Sequence, residues 1–415
     1  MMRLFAMLLV SMIVSGYYFP FAFTFLPEVN TKMILAVIGI ALVFYQGCRK
    51  HQITVSKELT GAIVLACLFS FICLFSIDYN RRDDYAYVNY YATFFTWLGG
   101  AYATCGAIRI LHGKVSLKLL ISYLAFVCVM QCILAIMIDR IPVFRALVDA
   151  YIAQGQDFLR SVGRLYGIGA ALDSAGVRFA VVLLLIAYLV CEDDAIRQSR
   201  KKIAVYLICF FLISVLGNMI SRTTTLGMML GLVYIIYSVG MLRLTISVRN
   251  FRFYSVFWGL LIVFIIGGIY LYQTDLNFYR NMRFAFEGFF NWMETGKWRT
   301  GSTDRLNAIM WVWPESIKSW IIGTGKFGLY TFGTDIGYCR FILYCGLVGF
   351  GTFASFFVYN ACAFLRKRKS FFLVSLFLLS LVFIIWLKVA TDIFFVYALF
   401  YCLDWEDDEV KVLVE

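Results

Sequence analysis

Asp335-Ile336-Gly337-Tyr338-Cys339-Arg340 runs without a break into Phe341–Val358, a stretch that carries no charge at all. An uncharged apolar run of this length has the reach of a helix crossing a bilayer. An arginine at its mouth is expensive to place and is seldom kept without a partner or ligand. Read outward from here, the chain shows the same apolar pattern again and again. Hydrophobic residues make up 62% of it, charged residues 15%, and the mean hydropathy is +0.81. Such a composition, in blocks of about 17–25 apolar residues, belongs to a polytopic membrane protein built from helices. Strand-like period-2 alternation is absent, which excludes an outer-membrane barrel.

About twelve transmembrane helices are predicted, at 4–25, 33–48, 59–77, 88–110, 117–138, 176–191, 203–219, 224–241, 254–273, 337–363, 371–387 and 390–403. Residues 1–415 thus read as a single integral membrane domain, all-α in class. The first block continues as Tyr17-Tyr18-Phe19-Pro20 where a signal peptide would show small residues, so it reads as a retained span. The basic clusters Arg49/Lys50/Lys57, Arg109/Lys114/Lys118, Arg197/Arg200/Lys201/Lys202, Arg243/Arg249/Arg252 and Arg366-Lys367-Arg368-Lys369 fall in alternate short loops. The opposite short loops hold only Lys32, Arg81, Arg82, Arg222 and Lys388. The positive-inside rule places the first set, and both termini, in the cytoplasm. The tail 404–415 is then cytoplasmic, and two long loops, 139–175 and 274–336, lie outside.

Those outer segments are rich in arginine and poor in lysine. Arg140, Arg145, Arg160, Arg164, Arg178, Arg222, Arg280, Arg283, Arg299, Arg305 and Arg340 all lie there or at the adjoining helix starts. Arginine carries a planar fork of donors matched to phosphate oxygens and keeps its charge when partly desolvated. Snorkelling to lipid headgroups explains any single one equally well, but Arg222 and Arg340 sit at span boundaries. Ser221-Arg222-Thr223-Thr224-Thr225 is a tight turn between two spans, where threonine hydroxyls can cap helix amides and an anion is favoured. Arg164-Leu165-Tyr166-Gly167-Ile168-Gly169, followed by Asp173-Ser174-Ala175-Gly176-Val177-Arg178, pairs a carboxylate with two arginines. The alternative is a re-entrant Gly-rich loop closed by an Asp173–Arg178 salt bridge.

Within 274–336, Tyr279–Trp298 and Arg305–Trp320 are predicted as two amphipathic helices on the membrane surface, their aromatics at the interface. Arg299 and Arg305 are the cations expected to be free for a ligand. Ile322-Gly323-Thr324-Gly325-Lys326-Phe327-Gly328 lacks the spacing of a nucleotide phosphate loop and reads as a flexible connector. The twelve cysteines lie mostly inside apolar blocks and read as small hydrophobes. Both histidines, His51 and His112, fall in cytoplasmic loops, so no external histidine base or zinc site is expected. Mid-span ionisable residues, which a proton relay needs, are nearly absent.

The order of these features resembles the bacterial O-antigen and capsular polysaccharide polymerases, which are related to the O-antigen ligases. The likeness covers roughly residues 160–365. It consists of the Ser221-Arg222-Thr223 hairpin, a large loop with Asp304-Arg305-Leu306, Trp311, Pro314 and Ile322-Gly323-Thr324-Gly325, then Asp335-x-Gly337-Tyr338-x-Arg340 with Gly346-Leu347-x-x-Phe350 behind it. It implies a metal-independent glycosyltransferase of GT-C-like fold in the bacterial inner membrane, needing no cofactor, with 139–175 and 274–336 periplasmic. Its substrates would be an undecaprenyl-diphosphate-linked glycan donor and acceptor, and its partners membrane lipid, a chain-length regulator and a flippase, but no nucleic acid. Under this resemblance Arg222 and Arg305 clamp the diphosphate, Arg340 or Arg178 assists, and Arg164 is a further substrate-binding residue. Asp335 orients or deprotonates the acceptor with Asp173 behind it, and Tyr338 stacks on a sugar. The ligase branch typically has a histidine near Asp335; none is present, which favours a polymerase over a ligase. A lipid-linked oligosaccharide transporter is disfavoured because the two halves show no repeat and the arginines gather on one face.

Overall fold

The computed structural model describes residues 2–52, 55–161, 163–240, 248–328, 332–365 and 371–405. Arg243, the Arg366–Lys369 cluster and residues 406–415 of the tail lie outside the described residues. In chain order the elements are α1 (Met2–Tyr18), β1 (Ala22–Phe23), β2 (Leu26–Asn30), α2 (Thr31–Lys50), α3 (Lys57–Tyr79), α4 (Tyr90–His112), α5 (Leu117–Arg140) and α6 (Pro142–Tyr151). There follow β3 (Ile152–Ala153), α7 (Gln156–Ser161), α8 (Leu172–Glu192), α9 (Asp194–Arg197), α10 (Arg200–Ile220), α11 (Thr224–Val239) and α12 (Val248–Thr274). The last are α13 (Leu276–Ala285), α14 (Glu287–Thr295), α15 (Gly301–Ile309), α16 (Ile317–Ile322), α17 (Gly337–Leu365), α18 (Phe372–Ile385) and α19 (Phe394–Tyr401).

The predicted apolar blocks are largely helical, the first ending as helix at Tyr18, and among the described residues seven helices (α2, α3, α5, α8, α10, α12 and α17) are long and apolar enough to cross a membrane. The chain is a polytopic helical membrane protein. Three apolar helices, α1, α11 and α18, are shorter. The block predicted at 390–403 contains only the eight-residue α19, about 12 Å of helix against a hydrocarbon core of about 30 Å. Asp392 ends the preceding turn by accepting from the Phe394 amide at 2.8 Å, which starts the helix late.

The chain divides into two compact units. The first comprises Met1–Lys32 and Ala107–Trp298. Its centre is α8, 89% of whose apolar window is buried, whereas the α12 window is 6% buried and turns Ile262, Val263, Ile265, Ile266 and Ile269 outward. Small residues set the helix spacing around α8: a Cβ on Gly227 of α11 would lie 2.1 Å from the Ala180 Cα. Close backbone approach of this kind replaces the hydrophobic drive that is missing between helices in lipid. A three-stranded antiparallel sheet, order β2-β1-β3, joins residues 22–30 to 152–153. Two strands of two residues and one of five, the last without alternation in burial, leave no pattern for the sequence to show.

The second unit comprises Met33–Gly106 and Arg299–Glu415. Phe69, Tyr90, Phe341, Phe353 and Trp386 interlock at its core, with centroid separations of 4.4 Å for Phe69–Phe353 and 5.5 Å for Phe353–Trp386. α17 is broken at Gly346, whose backbone lies at φ 68°. A break frees carbonyls that lipid cannot satisfy. Here the Thr324 amide donates to the Leu343 carbonyl at 2.7 Å and the Gly325 amide to that of Tyr344 at 3.0 Å. Ser76 Oγ also donates to the Tyr344 carbonyl at 2.9 Å. Ile322-Gly323-Thr324-Gly325 is therefore a fastened strap, not the flexible connector expected.

The long loop also departs from expectation. Instead of two helices it forms four, α13 to α16, separated at Phe286 and across Met310–Ser316. The second interruption follows from Pro314, which lacks an amide proton and drives its predecessor out of the helical region.

Candidate functional site

In the first unit four segments distant in sequence converge. The α10–α11 turn presents Ser221, Arg222 and Thr223; the Gly-rich turn before α8 presents Arg164; the α8 start presents Asp173; the α13–α14 junction presents Phe284 and Glu287. Arg222 and Arg164 both lie over the Phe284 ring, at 4.6 and 5.0 Å from its centroid. Arg222 is ion-paired with Glu287, its side chain only 18% exposed. The Asp173 carboxylate accepts from Thr223 Oγ1 at 2.6 Å and from Ser221 Oγ at 3.2 Å. Burial holds the Arg164 guanidinium below its ordinary value; Asp173 opposes that shift and Arg222 adds to it. It remains a cation, since arginine does not lose its proton at accessible pH.

Local sequence explains how these groups are held. A Cβ on Gly176 would lie 2.5 Å from Ser221 Oγ, so only glycine lets α8 approach the turn. The Gly-rich segment is pinned from below. Gln131, buried in α5, accepts from the Ile168 amide at 2.9 Å and donates to Ser15 Oγ at 3.1 Å. The threonines do not cap α11 as expected. Thr223 donates to Asp173, Thr224 to the Gly217 carbonyl at 3.0 Å and Thr225 to Asn218 Oδ1 at 2.6 Å. Arg178 turns back to donate to the Ser174 carbonyl at 2.7 Å.

No protein-family model, no curated protein and no solved structure matches the chain. Two guanidinium groups lie over one ring; Arg222 gives part of its fork to Glu287, and the remaining donors of the two can meet oxygen ligands.

The remaining candidates belong to the second unit. Arg340 donates to the Phe327 carbonyl at 2.8 Å and lies 3.9 Å over that residue's ring. Beside it, Asp84 accepts from the amides of Phe327 at 2.6 Å and Gly328 at 2.9 Å. Tyr338 is committed to the fold: its hydroxyl donates to the Phe383 carbonyl at 2.9 Å and its ring packs on Phe350 and Trp386. Asp335 is exposed and is one of the charges felt by Arg340. Arg305, on α15, is exposed and makes no hydrogen bond or ion pair among the described residues. Arg299, expected to be free, is paired with Asp304 at 3.2 Å. The Trp292, Trp298, Trp311 and Trp313 side chains of the long loop are exposed.

Arg164, Asp173 and Arg222 are thus brought together, while Arg305, Asp335, Tyr338 and Arg340 belong to the other unit. The residues that sequence reasoning passed over are Phe284, Glu287, Gln131 and Asp84. Gln131 alone left a usable signal, as a lone amide within an apolar run. Among the described residues no group of three His, Cys, Asp or Glu side chains could hold a metal ion.

Proposed function

We propose that this protein is a membrane glycosyltransferase that polymerises undecaprenyl-diphosphate-linked oligosaccharide repeat units into O-antigen or capsular polysaccharide. In this reading it crosses a bacterial inner membrane about twelve times in a GT-C-like fold, with its long loops periplasmic and its termini cytoplasmic. The observation that carries the reading is the pairing of Arg164 and Arg222 around Phe284, beside a fixed carboxylate. Transfer breaks the bond between the anomeric carbon and the diphosphate oxygen and forms one to an acceptor hydroxyl. The electron pair leaves with the diphosphate, whose growing charge needs positioned cations. Arg164 and Arg222, the latter shared with Glu287, supply them in the first unit, and Arg305 is a separate candidate in the second. Asp173, engaged by two hydroxyls, suits orientation, and Asp335 is the second unit's candidate to accept a proton.

The test is a gel of surface polysaccharide from cells lacking the gene, complemented with wild type, Arg222→Ala or Arg305→Ala. A single repeat unit on the surface with the ladder lost, in the null strain and in both variants, is the expected result. Polymer left on the lipid carrier, with nothing attached to the surface, identifies a ligase instead. A second reading, a lipid-linked oligosaccharide transporter, is favoured by the break in α17 at Gly346, because broken helices line the binding sites of transporters. Repeat units trapped on the cytoplasmic face would establish that reading and remove the polymerase.

A further inference from the structure

The Arg164–Arg222 cluster explains how a diphosphate is held but leaves the rest of its ligand without a place. A cavity of about 630 Å³ lies against the same carboxylate, wholly within the first unit. This is the size of a site for a small organic ligand. It is built where the β1–β2–β3 sheet meets the Gly-rich turn and the start of α8. Its walls carry the rings of Phe21 and Phe158 together with Asn30, Gln154, Asp173 and Ser174.

The wall chemistry is selective. Among the described residues Asp173 is the one charged side chain that lines it. A carboxylate in the wall repels an anion placed against it. What remains is a set of amides, a hydroxyl and a carboxylate facing apolar rings. That combination suits an uncharged ring whose edge is covered in hydroxyls and whose face is not. Gln154 is fixed in this wall, its Oε1 accepting from the Gly169 amide at 2.9 Å.

We infer that this cavity is a saccharide subsite, seating a sugar ring directly beside the phosphate cluster, with Asp173 as the wall the two share. The carboxylate that Ser221 and Thr223 fix next to Arg222 is the same one that meets the sugar. The inference rests on the cavity lining for its ligand class, and on the proposed glycosyltransferase for the sugar's attachment to a diphosphate.

Saturation-transfer NMR on the purified full chain in detergent tests it, with a panel of neutral methyl glucosides, galactosides and mannosides as probes. Signal is expected from at least one glycoside with wild type. It should be lost in Ser174→Trp, which fills the cavity from an exposed helix position, and weakened in Phe158→Ala, which removes a ring face. No signal from any glycoside with wild type, or a signal that survives both cavity variants, overturns the subsite. Binding of undecaprenyl diphosphate without sugar is measured in parallel. Its absence in wild type sinks the proposed function while leaving the glycoside result to stand or fall by itself.

Discussion

Thr223 Oγ1 donates to the Asp173 carboxylate at 2.6 Å, joining the turn between α10 and α11 to the start of α8. The contact makes one site of two motifs that lie 50 residues apart. Thr223 is 1% exposed, so water cannot replace its hydroxyl. Thr223→Val keeps the shape and deletes the donor, and should lower stability by about 1.5–3 kcal/mol, the range for a hydrogen bond to a charged group. Thr223→Ser should recover most of that. Denaturation of the two variants in the same detergent decides it; equal stability of Val and wild type would mean the bond contributes nothing.

Phe284 is the platform under both arginines. Phe284→Leu retains apolar bulk and removes the ring's negative face, forfeiting about 0.5–2 kcal/mol of cation–π attraction. Affinity for undecaprenyl diphosphate should weaken by about 2- to 30-fold, the same energy expressed as a dissociation constant. Unchanged affinity would show that the arginines are placed by Glu287 and the backbone alone.

How much of this was legible in the chain differs from residue to residue. Arg222 was visible because arginine at a span boundary is costly and conspicuous, and Arg164 because it shares a Gly-rich segment with Asp173 and Arg178. Their convergence was not, because it depends on Phe284, one aromatic among many in a loop where lipid contact explains aromatics equally well. The break in α17 was hidden for a similar reason. Gly346 sits in an unbroken apolar run, and only the carbonyls answered by Thr324 and Gly325 reveal that the helix stops there. The apolar blocks themselves were read correctly as helices, since twenty apolar residues leave the backbone no other way to satisfy itself in lipid. Where the reading failed, at 390–403 and in the second loop helix, a local turn at Asp392 and the proline Pro314 outweighed the apolar pattern.

Arg305 offers a separation of function from folding. Being exposed and unbonded among the described residues, it can be removed with a stability change within about 0.5 kcal/mol, as is usual at surface positions. Arg305→Ala should therefore accumulate in the membrane at wild-type levels and yield no polymer. Immunoblot and polysaccharide gel from the same cells check both halves, and a normal ladder removes Arg305 from the site.

Asp275 connects pH to the packing of the first unit. Arg140 donates to both its carboxylate oxygens, at 2.7 and 2.6 Å, and this holds the carboxyl below its ordinary 3.8. A depressed carboxyl contributes stability that is fully present above its unfolded value and is lost as pH falls through the folded one. The pair's contribution should thus be constant from pH 5 to 8 and fade only below about 4, the ordinary range of an unfolded aspartate. Asp275→Asn can still cap α13, so it isolates the charge. The variant should be less stable than wild type at pH 7 and converge with it in acid, and melts across that range would expose a constant gap if the ion pair were irrelevant.

Gly346 carries the sharpest structural demand. Its φ of 68° belongs to the left-handed region, and a Cβ there would stand 2.2 Å from the Ile321 carbonyl oxygen, an atom fixed in backbone. Alanine must therefore meet conformational strain, of order 1–3 kcal/mol by itself, and a clash that only separation of α16 from α17 relieves. Such separation would strip the Leu343 and Tyr344 carbonyls of the amides of Thr324 and Gly325, each an unsatisfied group in a setting without water. Gly346→Ala should consequently fail to accumulate, whereas Gly351→Ala, where a Cβ meets nothing within 4 Å, should behave as wild type. The membrane yield of the two variants, side by side, reports whether the break is built into the fold: equal yields would mean that α17 can run straight and that the strap at Thr324 has nothing to hold.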